Sequence, residues 1–279
     1  MTFYGSAMRF TQKFSIRWVS VCLLMAAVRI SAQEINISHC LNSCPDVSRP
    51  TNEVSLHHVF AAAVIPETGE VEWVAYRVLP ESIGIASLLP RWWEADRLLR
   101  GGQRDAALEQ TPGFVQPDLS NAQDREYRTG EIRMAAEDRG RLTPMTSFAA
   151  TPYWPELNQL SNMSGLPQSM RTGPWSGLDQ AINELTAVVA PLYVVAGPVM
   201  SYQGKGRSSE SDRADAFYKV VSDGQRVAAF LFDANLPPHA HFCAQVSTLA
   251  EIEGQVSLAL FPDAELDDDA ELVAALGCS

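Results

Sequence analysis

Residues 216–234 constrain the fold of this chain most. AFYKVVSD (216–223) and RVAAFLFDA (226–234) are two runs rich in β-forming residues joined through Asp223-Gly224-Gln225. A glycine-bearing connection this short between such runs predicts an antiparallel hairpin. HHVFAAAVI (57–65) and VEWVAYRVL (71–79) flank PETGE and predict a second antiparallel pair, with His57 and His58 capping its first strand at the surface. PLYVVAGPVM (191–200) reads as a buried strand ending at Gly-Pro. Strands with one apolar face need a covering layer. Pro174 opens a predicted helix over 174–189, where Trp175, Leu178, Ile182, Leu185 and Val189 recur at helical spacing. TLAEIEGQVSLALFP (248–262) predicts a short helix, and DAELDDDAELVAALG (263–277) has the acidic start that suits a helix N-terminus. Residues 80–130 are loop-rich; within them Trp92 and Trp93 are expected to anchor a loop or the core, with base stacking as the other reading. With 46% hydrophobic and 19% charged residues, the chain has material for one substantial core. The expected class is α+β: an antiparallel sheet core with packed helices, in one domain.

The first residues read as an export signal. Arg9, Lys13 and Arg17 precede the apolar run WVSVCLLMAAV (18–28), and ISAQ offers a small-residue cleavage site near Ala32. Met8 is an alternative start. The run is well short of the ~20 residues that span a bilayer, and Arg29 ends it. A signal peptide over 1–32 and a mature domain over 33–279 are expected, periplasmic or secreted, with no membrane association after cleavage. Cys22 would leave with the signal, and Cys40, Cys44, Cys243 and Cys278 remain. An even count in an exported chain favours disulfides. Of the three possible pairings, Cys40–Cys44 with Cys243–Cys278 is the expected one. A zinc site drawing on His39, His239 and His241 is the competitor, although the spacings follow no finger pattern.

Charge works against an easy guess at the ligand. The chain carries −12, and loss of residues 1–32, which hold four basic and no acidic residues, leaves 17 basic against 33 acidic, or −16. Such a field repels polyanions unless a local basic cleft opposes it.

Several short motifs nonetheless occur in a telling order. They are WVAYRV (73–78), Asp138-Arg139-Gly140, LSNMS (160–164), GPW and LD (173–179), YVVAGPV (193–199) and FYKVV (217–221). Together they resemble the DNA/RNA non-specific endonucleases of the ββα-metal (His-Me finger) superfamily, in its secreted bacterial subgroup with paired cysteines, over roughly residues 38–278. The resemblance implies a metal-dependent phosphodiester hydrolase. In that family a histidine after Asp-Arg-Gly is the general base on water. An asparagine carbonyl contacts a divalent cation, usually Mg2+, a glutamate one turn later holds metal waters, and arginines take phosphate oxygens.

The implied site is degenerate here. Arg139 is present, but Arg141 stands at the histidine position and Arg171 at the asparagine position. Asp179 stands at the glutamate position and Asn183 at that of a further arginine. No histidine lies between His58 and His239, and no asparagine between Asn162 and Asn183, so shifting the frame restores neither group. A guanidinium stays protonated and has no lone pair with which to take a proton or bind a cation. The residues therefore imply no resident cofactor, and Mg2+ only if the site works. Two arginines at the places of base and metal ligand suit a cleft for DNA, RNA or another phosphate-bearing ligand. Alternatively they pair with Glu137, Asp138 or Asp179 in an inactive pocket. A working nuclease would have to recruit His239 or His241 as base and Asn158 or Asn162 as metal ligand. A third reading is an exported interaction protein that keeps only the fold.

Overall fold

The computed structural model describes Met1 and residues 37–66, 69–91, 93–99, 140–199 and 214–278. The chain divides after Ile35, and its second unit, Asn36–Ser279, carries all the regular structure among the described residues. The expected leader (Met1 apart), Trp92, Glu137, Asp138 and Arg139 lie outside the described residues.

Ten strands occur among the described residues: β1 (Glu53–Leu56), β2 (Ala61–Ile65), β3 (Glu70–Val78), β4 (Gly140–Arg141), β5 (Met163–Ser164), β6 (Leu192–Val199), β7 (Ala216–Ser222), β8 (Arg226–Asp233), β9 (Val246–Ser247) and β10 (Asp267–Asp268). An eight-stranded sheet runs in the order β1-β2-β3-β6-β7-β8-β10, with β9 also pairing β8. Its pairs are antiparallel except β8 with β10. The expected hairpin is present, β7 running against β8 from Ala216 opposite Asp233 to Ser222 opposite Val227. Its turn needs Gly224, whose φ of +98° is strained for a residue with a side chain. Asp223 Oδ1 closes the turn by accepting from the Gln225 and Arg226 amides at 3.0 and 2.8 Å.

Side-chain alternation along these strands builds two cores. On β7, Phe217 and Val221 face one apolar cluster, and Tyr218 and Val220 face the other. The helices are α1 (Gln168–Thr172), α2 (Pro174–Thr186), α3 (Leu249–Val256) and α4 (Ala270–Ala275). On the first face, α2 buries Trp175, Leu178, Ile182 and Leu185, and Trp175 meets Phe217 and Phe232 edge-on at 6.3 and 5.5 Å. On the second, α3 buries Ile252 among Val195, Tyr218, Val220 and Ala229. Thr248 caps α3 by accepting from the Glu251 amide at 3.1 Å.

Three local expectations are corrected. The helix predicted over 174–189 ends at Thr186, leaving Val189 beyond it. Of 263–277 only Ala270–Ala275 is α-helical, because Asp267 and Asp268 pair with β8 and Asp269 supplies the cap to the Glu271 and Leu272 amides. His57 is not a surface cap: its side chain is only 6% exposed. Both disulfides form as expected, Cys40–Cys44 and Cys243–Cys278, with Cα separations of 4.8 and 5.2 Å. The zinc alternative fails with them, since the thiols are spent and no metal-capable group of three His, Cys, Asp or Glu occurs among the described residues.

Candidate active site

Outside the large sheet, two short strands and a helix form a separate motif. Gly140 pairs with Ser164 and Arg141 with Met163, antiparallel, and α1 and α2 follow within a few residues. Gly140 permits this approach, because a Cβ there would lie 2.6 Å from a Leu166 side-chain atom. Gly173 plays the same part before α2, where a Cβ would stand 2.3 Å from the Pro238 carbonyl oxygen. This β-β-α arrangement carries four of the residues expected at the site: Arg141 on β4, Arg171 on α1, Asp179 and Asn183 on α2.

Arg141 is half-buried, and its surroundings fix its side chain. Its Cζ lies 4.4 Å from the centre of the Trp93 ring, and Nη2 donates to Asn158 Oδ1 at 2.5 Å. Trp93 is thus the loop anchor the sequence suggested, with a cation stacked on its face. Arg171 is half-buried in the last turn of α1, where the helix dipole favours a cation.

Asp179 does not face solvent as a holder of metal waters would. It is ion-paired with Lys219 of β7, which is fully buried. The Lys219 Nζ also lies 3.9 Å from the centre of the Trp175 ring, one turn before Asp179 on α2. Burial pushes the Asp179 carboxyl up and the Lys219 ammonium down, and each opposite charge works against that shift. Asn183, one turn further, accepts from Ser147 Oγ at 2.6 Å and donates to Thr146 Oγ1 at 3.2 Å, so it pins α2 to the turn Met145–Ser147.

The alternative ligands are committed elsewhere. Asn162 is fully buried, its Oδ1 accepting from the Thr143 amide at 2.7 Å and its Nδ2 donating to the Thr143 and Leu157 carbonyls. Asn158 gives its carbonyl oxygen to Arg141. The alternation expected of His239 and His241 on an extended strand is replaced by a turn, and His241 stacks on Phe242 and accepts from the Cys243 amide. The residues described do not fit a divalent cation: each carboxylate or carbonyl proposed for it already serves a protein donor.

Sequence reasoning missed the groups that hold this region together. The His57 ring donates to Asp96 Oδ2 at 2.9 Å, and Ser161 Oγ donates to the same oxygen at 2.5 Å. Burial alone would raise the Asp96 carboxyl, but hydrogen bonds from His57, Ser161 and the Leu98 amide hold it below the usual range. The neighbouring His58 gives its ring Nδ1 and its amide to Glu156 at 2.6 and 2.8 Å. Only Lys219 left a signal in the sequence, as a lone charge in an apolar strand on the face turned toward α2.

An antiparallel sheet flanked by a β-β-α motif is the architecture of the ββα-metal nuclease fold. EndoG, in the crystal structure of its complex with the inhibitor EndoGI, has that fold in common with this chain at a TM-score of 0.52 and 17% identity, over 76% of this chain and 86% of EndoG. A nuclease of Serratia marcescens is 26% identical over 271 residues, 93% of each chain. No protein-family model matches the chain. Both likenesses support the non-specific endonuclease family for this chain.

Proposed function

We propose that this is an exported member of the non-specific endonuclease family whose hydrolytic site is impaired and whose arginines bind a phosphate-bearing ligand, with DNA or RNA the leading class. The observation that carries the reading is Arg141, held over the Trp93 ring by Asn158 on the strand where the resemblance puts the general base. A stacked, pinned guanidinium has already lost its rotational freedom, so it binds an anion at lower entropic cost. Its planar fork suits two-point contact with phosphate oxygens. Catalysis is the harder task. Arg141 cannot take a proton from water, and a missing general base costs roughly 10²–10⁴-fold. Asp179, spent on Lys219, and Arg171, with no donor oxygen, leave a cation without its expected holders. Export is supported by the two disulfides and by the apolar leader-like run, and among the described residues no helix is long and apolar enough to cross a membrane.

The test has two arms. Plasmid DNA and RNA are incubated with the purified protein and Mg2+, with and without chelator. No chelator-sensitive cleavage is expected, and gain of cleavage by Arg141→His with Arg171→Asn would establish the assignment of both positions. Vigorous Mg2+-dependent cutting by the unaltered protein overturns impairment. In the second arm, oligonucleotide binding is followed by anisotropy against salt. Arg141→Ala should weaken it by about 10- to 100-fold, the loss of a charge-assisted contact, and lower the salt slope by about one. Binding indifferent to both salt and the substitution removes the phosphate reading.

A further inference from the structure

His58 and Tyr153 form a two-ring stack on the surface. Their centroids are 4.0 Å apart and their planes differ by 2°. The imidazole cannot swing away, because Glu156 holds it by ring and backbone together. Yet the His58 side chain is 61% exposed, and Tyr153 is 43% exposed. A ring that gives one face to Tyr153 and one edge to Glu156 and stays this exposed has its outer face open to solvent. The same short 3-10 segment, Trp154–Asn158, anchors both this stack, through Glu156, and Arg141, through Asn158. Two residues of such a helix rise about 4 Å, so rings and guanidinium are anchored within one turn of each other.

We propose that the outer face of His58 is a nucleobase platform, taking an unpaired base of a single-stranded nucleic acid as a third ring on the stack. The proposal rests on the reading that Arg141 holds phosphate, and it narrows the ligand to one whose bases are free. Every base has a π-face, so such a platform tolerates any sequence, and a neutral base meets no penalty from the Glu156 carboxylate. A duplex keeps its bases in its own stack and offers none to the ring. The platform also gives an acidic protein a source of affinity that salt and net charge do not screen.

Anisotropy with three probes of equal length tests this: a single-stranded oligonucleotide, its abasic counterpart and a duplex. His58→Ala should weaken the single strand about 10- to 100-fold and leave the abasic strand and the duplex unchanged. His58→Phe should keep most of the single-strand affinity, since it retains a ring without the hydrogen bond. Tyr153→Leu, which removes the ring beneath, should fall between. Equal losses on the base-bearing and abasic strands, or no loss on either, overturn the platform. A separate readout keeps it distinct from the phosphate reading: adenosine, which has no phosphate, should shift the His58 ring protons upfield in an NMR titration. Such a shift in a protein that fails to bind abasic strand leaves the platform standing and sinks the arginine cleft. No shift, with abasic strand still bound, does the reverse.

Discussion

The two faces of the large sheet are built by different rules. The face under α3 is filled chiefly by Trp73, Val195, Tyr218, Val220, Ile252 and Leu260, so hydrophobic burial is its main source of stability. The face under α2 has an apolar cluster of its own but also buries Lys219, Asp179, Asn158, Asn162, Thr143, Ser147 and Ser161. Buried polar groups cost stability unless partnered, and here they are largely wired to one another and to backbone. The polar face is the one that carries Arg141, Arg171 and the β-β-α motif. The polar groups beneath the residues expected at the site are thus held by partners of their own, which fixes the shape of this region independently of any chemistry.

The sharpest break of this contrast is Lys219→Met. It strands the Asp179 carboxylate in the core and should cost about 3–5 kcal/mol in denaturant unfolding, whereas Lys219→Met with Asp179→Leu should recover most of that loss. A single-variant loss below about 1 kcal/mol would mean the pair is not the closed unit described. On the apolar face, Ile252→Ala should cost about 2–5 kcal/mol through lost burial and a cavity. That cost should be the same across mild pH, because its neighbours are apolar apart from Tyr218, whose buried hydroxyl is pushed above its ordinary range, and a strong pH dependence would blur the distinction between the faces. The smallest effect belongs to Asp96→Asn, about 1–3 kcal/mol at neutral pH. The folded-state pKa of Asp96 is lowered, so its contribution is present above its ordinary value of 3.8 and is lost as pH falls through the lower folded value. The gap between the parent and Asp96→Asn should therefore narrow in acid unfolding below that pH, and a gap that widens there refutes the assignment.

Much of the sheet is legible in the sequence because strand alternation and turn chemistry are local. β7, β8 and their Asp-Gly turn, β3, β6 and the start of α2 at Pro174 all follow from runs of a few residues. The errors fall where long-range contacts compete with local signals. Residues 263–268 have the acidity of a helix start, but Asp267 and Asp268 are captured by β8. His57 resembles a polar strand cap, and Asp96 draws it inside. At the site, the sequence shows which residues stand in the expected places but not what they hold. Trp93 under Arg141, Asn158 beside it and Lys219 on Asp179 come from segments far apart along the chain.

By itself the sequence determined the class of fold, the cysteine pairing to expect and the absence of a proton acceptor at residue 141, because each depends on residue type and short-range order. Only the tertiary structure decided that Asp179 is neutralised from a distant strand, that Arg141 sits over Trp93 and is held by Asn158, and that His58 and Tyr153 meet face to face. Those facts rest on distances between segments, which no local pattern encodes.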